Sequence, residues 1–212
     1  MSDTTMQDAD SIQVIFSLLI LLFSVVAHEI SHGYMAQYLG DPTARLAGRL
    51  TANPIKHIDP IGSLVIPFVT YIATAGGFAI GWAKPVPYNP YNLKDQKWGD
   101  SKVALAGPLT NFAIALFFAL LLSFASGFLT PAVEDIIRLI VRVNVVLAVF
   151  NLVPIPPLDG SKVLLNALPL RHRYIGEYLE RYSWFFIFFF AMFLWPYLVP
   201  LVGQILKFLF WL

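Results

Sequence analysis

The 212-residue sequence contains no cysteine. Disulfide scaffolds, thiolate metal sites and cysteine nucleophiles are therefore excluded together. Charge is scarce as well: 13% of residues are Asp, Glu, Lys or Arg, against about 25% in a soluble domain. A formal net charge of +1 gives no basic footprint for nucleic acid, so no nucleic-acid partner is expected. No Gly-x-Ser-Gly or Gly-x-Gly-Asp pattern occurs, which removes the serine and aspartyl signatures of intramembrane proteolysis. No internal repeat or low-complexity tract is visible.

What the chain has in excess is apolar surface. Hydrophobic residues make up 58% of the sequence and the mean hydropathy is +0.69. Five runs carry no charge: 11–27, 60–83, 103–133, 143–158 and 183–206. A helix needs about 20 apolar residues to cross a hydrocarbon core of about 30 Å. The expectation is a single-domain, all-α polytopic membrane protein spanning 1–212, with about 4–6 transmembrane segments and the lipid bilayer as its surroundings. The first ten residues carry Asp3, Asp8 and Asp10 and no Lys or Arg. A cleaved signal peptide wants a basic flank there, so 11–39 is expected to persist as a helix behind an extracytoplasmic tail, 1–10.

Lys and Arg in short loops mark the cytoplasmic side. Arg45, Arg49 and Lys56 precede the apolar run 60–83, and Lys84, Lys94, Lys97 and Lys102 follow it. Both flanks want the same side, so 60–83 is expected to enter and leave the membrane on one face, turning near Gly76-Gly77. His172, between Arg171 and Arg173, is expected at the interface with no special role. The aromatic run 184–190 is expected to pack against lipid.

An ionisable group at bilayer depth costs at least about 2.5–3.5 kcal/mol on insertion scales, which makes it a functional candidate. The first run leads into His28-Glu29-Ile30-Ser31-His32. The i, i+4 spacing places both imidazoles on one helix face, where they can share a metal, with Glu29 about 100° round the helix as general base. Catalytic zinc takes three protein ligands plus water. His57, His172, Asp59 and Asp159 are the candidates for the third. Asp159 stands out because it ends the run 143–158 in Asn151-Leu-Val-Pro-Ile-Pro-Pro-Leu-Asp159-Gly160. The prolines disfavour helix, and an extended turn could deliver the carboxylate inward or let it cap a helix starting near Gly160. His57 is open between lining a cleft, touching substrate and capping Asp59.

These motifs resemble the site-2 protease family of intramembrane zinc metalloproteases. His28 to His32 is similar to its first motif, Gly107-Pro108-Leu-Thr-Asn111 to its central motif, and Asn151 to Gly160 to its last, in family order. The stretches Gly40-Asp-Pro-Thr-Ala, Asn53 to Gly62 and Gly81 to Pro87 further resemble the small prokaryotic branch, without PDZ or CBS domains. The resemblance implies one Zn²⁺ per chain on His28, His32 and Asp159, Glu29 as the catalytic base, and Asn111 as a substrate-binding residue facing the cleft. It also implies a β-strand element near Trp82–Tyr88 and a transmembrane substrate, such as a membrane-anchored regulator, in a prokaryotic cell membrane. The active site is expected nearer the cytoplasmic side. The alternative is a non-catalytic metal- or ion-handling membrane protein using the same cluster.

Overall fold

The structure, a computed structural model, describes residues 2–73, 81–169 and 173–212. Gly76-Gly77 and Arg171-His172, singled out above, lie outside them. In chain order the helices are α1 (Ser2–Tyr38), α2 (Thr43–Leu46), α3 (Ile66–Ala73), α4 (Gly99–Ala125), α5 (Pro131–Asn151), α6 (Asp159–Ala167), α7 (Arg173–Arg181), α8 (Ser183–Phe189) and α9 (Trp195–Trp211). Short single-turn helices and loops join them, and a π-helical turn, Pro60–Val65, leads into α3.

Three segments are long and apolar enough to cross a membrane: Val14–Tyr38, Gly99–Phe128 and Phe185–Trp211. α5 has the length of a span, but Glu134, Asp135, Arg138 and Arg142 lie within its first twelve residues. The helix from Pro60 to Ala73 is shorter. The expectation of an all-helical membrane fold therefore holds. Among the described residues no strand forms.

α1 ends where its sequence permits a left-handed residue. Gly40 has φ +109°, the Asp41 N–H donates to Ala36 O and the Gly40 N–H donates to Gln37 O. This Schellman arrangement satisfies the last carbonyls of the helix. The next residue, Asp41, is fully buried. Its carboxylate accepts from the N–H and hydroxyl of Thr43, from Asn92 Nδ2 and from the Asn89 N–H. Burial alone would raise the Asp41 carboxyl. The Thr43, Asn92 and Asn89 donors outweigh it and hold the group below its usual range.

α4 packs against α1, α5, α6 and α9 and so forms the centre of the bundle. Ala115 and Ala119 on α4 meet Val141, Val145 and Val149 of α5 and Val202 and Leu209 of α9. Small residues at such contacts let helix backbones approach closely when lipid supplies no hydrophobic drive.

The described ends of the run 60–83 meet each other. The Trp82 N–H donates to Gly62 O at 3.0 Å and Ser63 Oγ donates to Trp82 O at 2.8 Å. A Cβ on Gly62 would lie 2.2 Å from the Trp82 indole. Gly62 thus lets the departing and returning chain touch. Asp59, whose carboxylate accepts from the Ile61 and Gly62 N–H groups, caps the start of this excursion.

Candidate metal centre

The residues His28 and His32 are buried on the inner face of α1, with ring centroids 4.7 Å apart and nearly perpendicular planes. Asp159 opens α6. The prolines before it do end α5, but the chain folds into tight turns rather than running extended: Ile155 N–H donates to Val153 O and Leu158 N–H to Ile155 O. Leu158, and not Asp159, occupies the capping position of α6, so the Asp159 carboxylate is free to point at the histidines. Its Oδ2 lies 3.0 Å from His28 Nε2 and 3.3 Å from His32 Nε2. Among the described residues these three form the group of His and acidic side chains that could hold an ion, with donor atoms all within 4.8 Å of one another.

The opposite ring nitrogens determine what those atoms can do. His32 Nδ1 lies 2.7 Å from Val103 O, a carbonyl that only accepts, so Nδ1 carries the proton. His28 Nδ1 lies 2.6 Å from Asn111 Oδ1. The Asn111 amide is oriented by Nδ2 donating to Ser24 O at 3.3 Å and to Asn144 Oδ1 at 2.8 Å, so its oxygen must accept from His28. In the neutral form that binds a metal, each ring with its proton on Nδ1 turns its Nε2 lone pair to the carboxylate oxygen. A cation shared by the three relieves the repulsion of lone pairs aimed at one point. Tetrahedral zinc with bonds of about 2.0 Å separates its ligand atoms by about 3.3 Å; the two separations from Asp159 Oδ2, 3.0 and 3.3 Å, lie near that value, and all three atoms fall within 4.8 Å. An N₂O donor set suits zinc.

The helix α4 is shaped to accept the rings. A Cβ on Gly107 would lie 2.5 Å from His28 Cε1 and Nε2 and 2.6 Å from His32 Cε1. Gly160 has a related role: a Cβ there would meet Leu152 O at 2.1 Å. It lets the start of α6 press against the turn that ends α5.

Glu29 is half-buried on the side of α1 facing the segment 81–89, and its Oε2 accepts from the Val86 N–H at 2.9 Å. That segment has no regular secondary structure. Alternate N–H groups are pinned to the protein: Trp82 to Gly62 O, Lys84 to His57 O and Val86 to Glu29. Arg49 Nη2 donates to Lys84 O.

Asn111 is completely buried with both ends of its amide engaged. His57, 1% exposed, does not join the cluster: its Nε2 donates to Thr51 O and it makes no bond to the Asp59 carboxylate. Ser24 and Asn144 were not among the residues expected at the site, and Gly107 was named only as part of its motif. A polar side chain in each of the uncharged runs 11–27 and 143–158 was the available signal for the first two. Asn144 Nδ2 donates to Ser24 Oγ at 2.9 Å, completing the chain behind His28.

Comparison with known proteins agrees with this geometry. Peptidase family M50 matches residues 16–141 and 126–194. YwhC of Bacillus subtilis is 35% identical over 188 residues, covering 85% of this chain and 81% of its own. Rip2 of Mycolicibacterium smegmatis is 34% identical over 146 residues, 68% of this chain and 53% of its own. The Methanocaldococcus jannaschii protein MJ0611 is 32% identical over 157 residues, 70% of this chain and 72% of its own. All three carry names that mark them as candidate zinc metalloproteases. No solved structure matches the chain. The chain belongs to Peptidase family M50, the site-2 protease family of membrane metalloendopeptidases.

Proposed function

We propose that the chain is a one-zinc intramembrane protease whose ligands are His28, His32 and Asp159 and whose general base is Glu29. The observation that carries the reading is the convergence of His28 Nε2, His32 Nε2 and Asp159 Oδ2 while both Nδ1 atoms are held by protein oxygens. Zinc bound there would polarise the scissile carbonyl and acidify a water. Glu29 takes the proton from the attacking water and passes it to the leaving nitrogen. The Val86 N–H keeps that carboxylate aimed from the other wall. Asn111, expected from its motif to hold substrate, is assigned the task of orienting His28, in keeping with its burial. A non-catalytic ion-handling protein is not favoured by membership of a peptidase family.

The proposed substrate is a transmembrane segment of a membrane-anchored regulator. Its peptide bonds are shielded by helical hydrogen bonds, and unwinding inside a bilayer needs replacement partners. Segment 81–89 can supply them. Its even-numbered N–H groups at 82, 84 and 86 are spent on the protein, and Pro85 and Pro87 have none. Its free edge therefore offers carbonyls, to which an extended substrate beside it would donate.

The proposed topology is a single domain in a prokaryotic cell membrane, with 1–10 outside, 60–83 re-entrant and the metal ligands nearer the cytoplasm. The return of Trp82 to Gly62 supports the re-entrant path. With α5 counted as a span beside the three apolar segments, the total is four, and more if 183–212 forms a hairpin. Metal analysis of the purified protein tests the site: about one zinc per chain is expected, lost in His32→Ala and Asp159→Ala. Full retention of zinc by both variants would remove the ligand set.

A further inference from the structure

The segment that holds Glu29 and the helix that carries Asp159 are joined by a short polar relay. Tyr88, two residues after Val86, donates its hydroxyl proton to Asp100 Oδ1 in the first turn of α4. Lys162, one turn after Asp159 on α6, donates from Nζ to the same phenol oxygen at 3.1 Å. Its ammonium also lies 5.0 Å from the Tyr88 ring centroid. The phenol thus accepts from a cation and donates to an anion, an ion pair relayed through a neutral group. Burial pushes the Tyr88 hydroxyl well up, and Asp100 adds to the effect, so the proton needed for the relay stays in place. Neighbouring contacts reinforce the arrangement: Asn166 of α6 donates to Ser101 of α4, and the Asn89 N–H is fixed on Asp41.

We propose that Tyr88, through Asp100 and Lys162, is a positioning residue that sets the spacing between Glu29 and Asp159. The proposal rests on the reading of Glu29 as base and Asp159 as ligand. The distances explain why the relay reaches both: Val86, which holds Glu29, and Tyr88 are two residues apart, and Asp159 and Lys162 share a face of α6. The relay works as a unit, so removing any one member releases the same constraint. Charge-carrying side chains with this task are coupled, and their deletions are not additive.

The absence of native cysteine makes the spacing measurable. Spin labels on Lys84→Cys and Leu164→Cys, both exposed sites flanking the relay, report the distance between the two elements in the purified full chain. The parent should give one narrow distribution, and Tyr88→Phe and Lys162→Met should each broaden it. Lys162→Arg should keep it narrow. Cleavage is read with a synthetic leucine-rich transmembrane peptide interrupted by Gly-Pro, in phosphatidylcholine vesicles. Tyr88→Phe should lower kcat on the order of tenfold with KM and zinc content unchanged. Tyr88→Phe/Lys162→Met should be no worse than the poorer single variant, and Lys162→Arg should recover most of what Lys162→Met loses. An unchanged distribution in Tyr88→Phe, or additive losses, would overturn the proposal. If the parent fails to cut the peptide, the protease reading is weakened while the distance measurement still decides the relay.

Discussion

The Val86 N–H donates to Glu29 Oε2 at 2.9 Å, joining the acidic residue of the His28–His32 helix to an irregular segment 57 positions away. Glu29 is not among the three groups whose donor atoms converge within 4.8 Å. It shares α1 with His28 and His32 but turns to the Val86 N–H, while the two histidines meet Asp159 of α6. The proposed division of labour between one base and three ligands matches where each side chain is held.

Asn111→Ala removes the oxygen that holds the proton on His28 Nδ1. Zinc affinity should fall roughly 10–100-fold, the usual cost of losing such an outer partner. A chelator competition measures it. Unchanged affinity would show that the hydrogen bond does not orient the ring.

Gly107→Ala should have an effect out of proportion to one methyl group. Alanine favours helix by about 1 kcal/mol over glycine, so α4 itself gains. The new Cβ would nonetheless sit 2.5 Å from His28. Metal content should drop while the helical signal in circular dichroism stays the same.

Asp41→Ala should destabilise the protein by about 1–3 kcal/mol, because it strands several buried donors. The carboxyl is depressed in the folded chain, so its contribution is complete above the unfolded pKa of 3.8 and is lost as pH falls through the folded value. Thermal melts from pH 7 to pH 3 should show the gap between parent and variant closing in acid. A gap constant across that range would contradict the assignment.

Much of this arrangement was legible in the sequence. The His-x-x-x-His spacing and the placement of Asp159 after an uncharged run pointed to three groups that the fold brings within 4.8 Å. Local spacing fixes the two histidines because they share a helix. Asp159 was legible because a carboxylate is costly in an apolar context. The turns at 152–158 were not, since prolines rule out helix without choosing between extended and folded chain. The Asn111–Asn144–Ser24 chain was hidden for a different reason: it joins residues 33 to 120 positions apart. The task of Gly107 depends on a neighbour 79 positions earlier in the chain.

Topology has its own test. Single cysteines at the exposed positions Lys56, Lys97 and Thr130 can be labelled without native background. Lys56→Cys and Lys97→Cys should label from the cytoplasm and Thr130→Cys from outside. Labelling of 56 and 97 from opposite faces would make 60–83 a full crossing and overturn the re-entrant path.

The central claim is that Glu29 performs chemistry while His28, His32 and Asp159 hold the metal. The most direct test compares zinc content and peptide-bond cleavage in the parent and Glu29→Gln, purified and reconstituted side by side. The account predicts about one zinc in each, with cleavage in the variant lowered at least about a hundredfold, the scale of a lost general base. Cleavage by Glu29→Gln at the parent rate would contradict it.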